Sequence, residues 1–153
     1  MTPSITVIRY WLPAALWMSL IFVGSTDALS ASNTSRFLGP FLNWLFPGIE
    51  PGTIEGLRFG IRKCGHLAEY AFFAFLALRG FQRPVRIFEA PKSPYLLHAW
   101  ILSVLYAITD EFHQSLVPSR QGQLLDVIID ASGAALGLLA YKWAHQYWGR
   151  KKG

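Results

Sequence analysis

The chain has 153 residues, of which 52% are hydrophobic, 15% aromatic and 15% charged, with a net charge of +5. A soluble domain carries about 25% charged residues, so this composition, with a mean hydropathy of +0.30, excludes an ordinary water-soluble fold and points to one integral membrane domain over residues 1–153. The basic excess sits at the ends of apolar runs, where orientation and anionic headgroups account for it; no nucleic-acid partner is expected, and a single cysteine, Cys64, excludes an internal disulfide or a cysteine zinc site.

The first apolar run, Tyr10 to Leu29, follows Arg9 and opens with Trp11 and Pro13. A signal peptide can have this length, but the rest of the chain is equally apolar, so the run reads as an uncleaved first span. Ser30 to Ser35 is a polar stretch suited to capping a following helix. Phe37, Leu38, Phe41, Leu42, Leu45 and Phe46 then recur at helical spacing. With Pro40 inside and Pro47-Gly48 after it, this piece is too short to cross a bilayer and reads as an amphipathic helix in the interface.

A second span is expected from Thr53 to Arg79-Gly80, polar in front and apolar behind. Cys64, beside Gly65 and among apolar residues, reads as an inert packed thiol. A loop over 82–94 carries Arg83, Arg86 and Lys92 against one Glu89. The third span runs from Tyr95 to about Gln114 and the fourth from Leu124 to about Trp148, followed by Arg150, Lys151 and Lys152. The fold class is therefore all-α: a polytopic membrane bundle of four transmembrane helices with one short interfacial helix. Trp11, Trp17, Trp44, Trp100, Trp143 and Trp148 read as interfacial anchors and lipid-facing packing.

With four spans, one side holds Arg9, Arg79, Arg83, Arg86, Lys92, Lys142, Arg150, Lys151 and Lys152. The other holds Arg36, Arg58, Arg62, Lys63 and Arg120. Nine basic residues against five place both termini in the cytoplasm.

The second span carries the densest polar cluster. On a helix of roughly 100° per residue, Arg58, Arg62, His66 and Glu69 fall within an arc of roughly 80°, with Lys63 and Tyr70 beside it. An ionised group at a bilayer centre costs roughly 2.5 to 3.5 kcal/mol on insertion scales, so such a stripe faces other helices or a water-filled cleft. The third span repeats the logic with Ser103, Tyr106, Asp110, Glu111, His113 and Gln114. In the fourth, Asp126 and Asp130 lie one turn apart, and Gly133 and Gly137 continue their face as a small-residue stretch that permits close helix contact. Alternating spans bring these groups, with Arg120, to one membrane depth near the outer leaflet. There Arg58, Arg62, Lys63 and Arg120 can neutralise Asp110, Glu111, Asp126 and Asp130.

These residues resemble the VanZ-like family of small bacterial membrane proteins. The resemblance rests on Arg62, Lys63, His66, Glu69 and Tyr70, then Asp110, Glu111, Gln114, Pro118, Arg120, Asp126, Asp130, Gly133 and Gly137, with Ile21-Phe22-Val23-Gly24-Ser25 in the first span. It covers most of residues 11 to 143. The chain departs from the family pattern at Asp130, where Asn is the commoner residue. The resemblance implies a multi-pass protein of the bacterial inner membrane. The family's namesake is linked to resistance to teicoplanin, a glycopeptide acting on cell-wall precursor outside the membrane. No reaction is implied.

Four readings of the polar cluster follow. One is a structural ion-pair network. A second is a site for an anionic lipid or a lipid-linked cell-wall precursor, because arginine presents forked donors to phosphate. A third is a membrane enzyme acting on a lipid-linked substrate, with His66 and Glu69, or Asp110 and His113, as acid–base or metal-binding pairs. A fourth is a small proton-linked transporter. The candidate pocket comprises Arg58, Arg62, Lys63, His66, Glu69, Tyr70, Asp110, Glu111, Gln114, Arg120, Asp126 and Asp130. No cofactor and no metal are expected, and the oligomeric state is left open.

Overall fold

The computed structural model describes residues 3–27, 31–82, 91–120 and 122–150, with side chains described over 7–27, 36–82, 91–120 and 122–148. These residues form five α-helices and no strand: α1 (Pro3–Gly24), α2 (Ala31–Leu45), α3 (Pro51–Phe81), α4 (Ser93–Ser115) and α5 (Leu124–Arg150). The all-α expectation is met. Arg83, Arg86, Lys151 and Lys152, used above for orientation, lie outside the described residues, as does Glu89.

Two helices are long and apolar enough to cross a membrane, Val7–Gly24 within α1 and Leu124–Trp148 within α5. The expected count of four spans is thus matched by two on length and composition alone. α3 is interrupted by Glu55, Arg58, Arg62, Lys63 and Glu69, and α4 carries Asp110 and Glu111 near its end.

α1 begins before Tyr10 and stops at Gly24, short of the expected Leu29. Its end is made by local polar competition: Thr26 Oγ1 donates to Val23 O at 2.6 Å, an alternative to continuing the helical ladder. α2 starts at Ala31, so most of the stretch expected to cap it is helical instead. Its 15 residues reach about 22 Å, short of a hydrocarbon core of about 30 Å. Leu42 turns inward, while Phe37, Phe41, Trp44 and Leu45 are exposed. α2 crosses α3 where Gly39 meets the Arg58 guanidinium, leaving no room there for a Cβ.

α3 opens with Pro51, which costs nothing where the first amides lack helical partners. Its 31 residues extend about 46 Å. It is the hub of the bundle, packing on α5, α4, α1 and α2. Tyr70 and Phe73 of α3 meet Ala14 and Ile21 of α1 and Ala107 of α4 in one core cluster. Ala74, Ala77 and Leu78 meet Ala99 of α4 and Ala134 and Leu138 of α5 in another.

The α3–α5 crossing is close because Gly133 faces the Leu67 backbone and Gly137 faces Ala71, where a Cβ would lie 2.8 Å from Ala71 Cα. Three tryptophans also hold helices together, beside the mostly peripheral role expected of the six. Trp11 packs on Gly80 and edge-on against Phe81, with ring centroids 5.0 Å apart. Trp17 Nε1 donates to Glu69 O at 3.0 Å, and Trp100 Nε1 to Ala131 O at 3.0 Å. Trp44, Trp143 and Trp148 are exposed. Cys64 is exposed as well, so the expectation of a packed thiol is wrong. Periodicity alone could not distinguish an exposed position there from a buried one.

The Gly133 contact is backbone against backbone and cannot be relieved by moving a side chain. Gly133→Ala is expected to destabilise the bundle by about 1 to 3 kcal/mol through overpacking. Gly60→Ala, which meets nothing within 4 Å, is expected to be neutral or stabilising by under about 1 kcal/mol. Thermal unfolding in detergent checks the pair; equal effects would contradict this packing.

Candidate functional site

Arg58, Arg62, His66 and Glu69 follow one another along one face of α3, and all four line a cavity of about 1220 Å³. The other walls are Ile21 of α1 and Ser25 just after it, Phe37, Leu38 and Phe41 of α2, Gln114 at the end of α4, and Arg120 in the loop before α5. Three arginines therefore share a cavity whose remaining lining is largely apolar. Of the residues proposed from sequence, Arg58, Arg62, His66, Glu69, Gln114 and Arg120 meet at this cavity. Lys63, Tyr70, Asp110, Glu111, Asp126 and Asp130 do not line it.

Those six form a layer behind the cavity wall. Asp110, Glu111, Asp126 and Asp130 are all buried, the last fully. Lys63 Nζ is in direct contact with Asp126 Oδ1, and Arg62 approaches the other Asp126 oxygen at 3.9 Å. Lys63 also lies 5.0 Å from the Phe59 ring centroid. His66 Nδ1 is 3.2 Å from Asp130 Oδ1. Asp110 and Glu111 take neutral donors instead: Gln114 Nε2 donates to Asp110 Oδ2 at 3.2 Å, and the Gln123 amide to Glu111 Oε2 at 2.9 Å. The expected cation–carboxylate pairing thus holds for Asp126, with Asp130 served by a histidine. Tyr70 is fully buried against Phe73 and Tyr106.

Arg120 Nη2 donates to Gly24 O, tying the loop to the end of α1. Burial, and then the Arg62 guanidinium nearby, push the Arg120 pKa below its ordinary value. Two cations held close together on one wall favour an anion between them. Arg62 Nε and Arg120 Nε are buried donors with no partner among the described residues.

On the acceptor side, Asp110 Oδ1, Glu111 Oε1, Gln114 Oε1 and Asp130 Oδ2 are buried without a donor among the described residues. His66, Glu111 and Asp130 bring one ligand atom each to within 4.8 Å of one another. They come from three different helices, so no local motif could signal them. The pairs weighed from sequence behave otherwise: His66 turns to Asp130, and the His113 ring packs on Phe22, with centroids 4.3 Å apart.

Ser25 is the polar residue that the site list lacked. It is buried, lines the cavity and accepts from Gln114 Nε2 at 3.3 Å. Its signal was present in the Ile21–Ser25 pattern of the first span. Glu55, one turn before Arg58, also lines the cavity.

A family model described as VanZ/LLP1 matches residues 10–145. No curated protein and no solved structure matches the chain.

Asp126 is only 1% exposed, so removing its close partner strands a buried charge. Lys63→Met is expected to cost about 3 kcal/mol or more. Lys63→Met combined with Asp126→Leu is expected to recover most of that loss. Denaturant unfolding of both variants in detergent is the check; a double variant as unstable as the single one would contradict the pairing.

Proposed function

The chain belongs to the VanZ/LLP1 family, and from that premise we propose that it is a multi-pass bacterial inner-membrane protein whose cavity binds the anionic head group of a lipid-linked cell-envelope precursor. The observation that carries the reading is the cavity lining, which brings Arg58, Arg62 and Arg120 together with Ile21, Phe37, Leu38 and Phe41. Phosphate suits the guanidinium forks. A prenyl or acyl chain suits the apolar wall. Glu69 and Gln114 then face sugar hydroxyls attached to the phosphate.

The outward faces of all four long helices support multi-pass insertion. Ile8, Leu12, Leu16 and Leu20 of α1 are exposed, as are Leu97, Ile101, Leu105, Ile108 and Phe112 of α4. Phe59 and Phe72 of α3 and Leu125, Ile128, Leu136, Leu139 and Trp143 of α5 are exposed as well. Stripes this long are a liability in water and a fit to lipid. α2, amphipathic and short, lies in the interface and closes one side of the cavity. Both termini are cytoplasmic, so the cavity opens toward the outer leaflet, where glycopeptide antibiotics meet cell-wall precursors. That is the route by which this protein would bear on teicoplanin tolerance. The buried carboxylate layer supports the arginine wall, which gives the structural reading of the same residues a place beside the binding one.

Native mass spectrometry with undecaprenyl phosphate, its uncharged alcohol and phosphatidylglycerol tests the proposal. Wild type is expected to retain the prenyl phosphate and not the alcohol. Arg62→Gln and Arg120→Gln are each expected to weaken retention about tenfold, the loss of one charge-assisted contact. Equal retention by wild type and both variants would count against the reading, and retention of phosphatidylglycerol alone would reassign the ligand to bulk lipid. A topology reporter at Gly122 that signals from the cytoplasm would overturn the orientation.

A further inference from the structure

Beneath the cavity wall the carboxylates are unevenly served. Asp110, Glu111, Asp126 and Asp130 are buried together. Lys63 and Arg62 serve Asp126, and His66 serves Asp130. Asp110 and Glu111 take hydrogen bonds from an amide side chain and a backbone N–H, and Arg120 acts on both only through space. The unpartnered atoms in this layer are mostly acceptors: Asp110 Oδ1, Glu111 Oε1, Gln114 Oε1 and Asp130 Oδ2. An uncompensated carboxylate in a low-dielectric interior is costly. Water can donate hydrogen bonds to such oxygens but brings no charge.

We propose that His66, Glu111 and Asp130 bind a divalent transition-metal ion. Their ligand atoms lie within 4.8 Å of one another, on α3, α4 and α5, the three helices that pack most closely together. Ligands about 2.1 Å from an ion stand about 3.4 Å apart, a spacing the His66–Asp130 pair already approaches at 3.2 Å. The His66–Asp130 hydrogen bond is then exchanged for shared coordination. One imidazole nitrogen with two carboxylate oxygens suits Zn²⁺ or Mn²⁺ better than Ca²⁺ or Mg²⁺, which favour all-oxygen sites. His66 and Gln114 also line the cavity, so an ion has a way in. The proposal does not rest on the lipid reading, because ion binding requires no lipid.

The test uses the full chain in detergent without added lipid, in a Cys64→Ser background that removes the exposed thiol as an adventitious zinc ligand. Chelator-stripped protein is titrated with Zn²⁺ or Mn²⁺, and bound metal is counted by elemental analysis beside thermal unfolding. The parent protein is expected to retain about one ion per chain and to unfold at a higher temperature with metal than in chelator, as a ligand of the folded state alone requires. Glu111→Gln and Asp130→Asn are each expected to bind at least about tenfold more weakly. In chelator Glu111→Gln is expected to be as stable as the parent, because it removes a buried charge served only by a backbone N–H. With metal, neither gains the parent's stabilisation. Absence of retained metal in the parent, equal retention by the variants, or failure of both variants to fold in chelator would each overturn the site.

Discussion

The structure depends on the burial of four carboxylates, Asp110, Glu111, Asp126 and Asp130, between apolar helices. Each is expensive alone, and the chain meets the expense unevenly. Asp126 has the Lys63 ammonium in contact, Asp130 has His66, and Asp110 and Glu111 have neutral donors. The partners come from different helices, so the polar layer sets how α3, α4 and α5 sit against one another. Close packing then becomes necessary. Gly133 and Gly137 let α5 approach the α3 backbone near Leu67 and Ala71, within two turns of His66 and Asp130.

The same layer explains why the arginines stay on the cavity side. Lys63 occupies the position facing Asp126 on α5. Arg62 reaches that carboxylate only at 3.9 Å and lines the cavity. Arg120 arrives from the loop, fixed by its bond to Gly24 O. The result is a cationic wall in front of an anionic layer. Glu55 and Glu69 share the cavity with the three arginines, while Asp126 behind it draws on Arg62 at 3.9 Å. α2 supplies the apolar side through Phe37, Leu38 and Phe41.

Much of this arrangement was legible along the chain because it is written in local periodicity. The α3 stripe of Arg58, Arg62, His66 and Glu69 follows from helical angles alone, and all four reach the cavity. The one-turn spacing of Asp126 and Asp130 likewise marks a single face of α5. What periodicity cannot encode is helix-to-helix register. It could not say that Lys63 and not Arg62 would close on Asp126, or that six of the twelve candidates would sit behind the cavity wall. Nor could it join His66, Glu111 and Asp130, since their sequence separation hides a meeting made only by packing. Cys64 and the helix-joining Trp11, Trp17 and Trp100 were misread for a related reason. An apolar neighbourhood in sequence does not distinguish an inward face from an outward one.

Whether the arginines receive a phosphate carried on an apolar chain can be seen in an experimental structure of the protein in lipid nanodiscs containing undecaprenyl phosphate. Phosphate density is expected within hydrogen-bonding distance of Arg62 and Arg120, with the prenyl chain running along Phe37 and Phe41. Phosphate density elsewhere, or a cavity filled only by hydrocarbon, would contradict that reading.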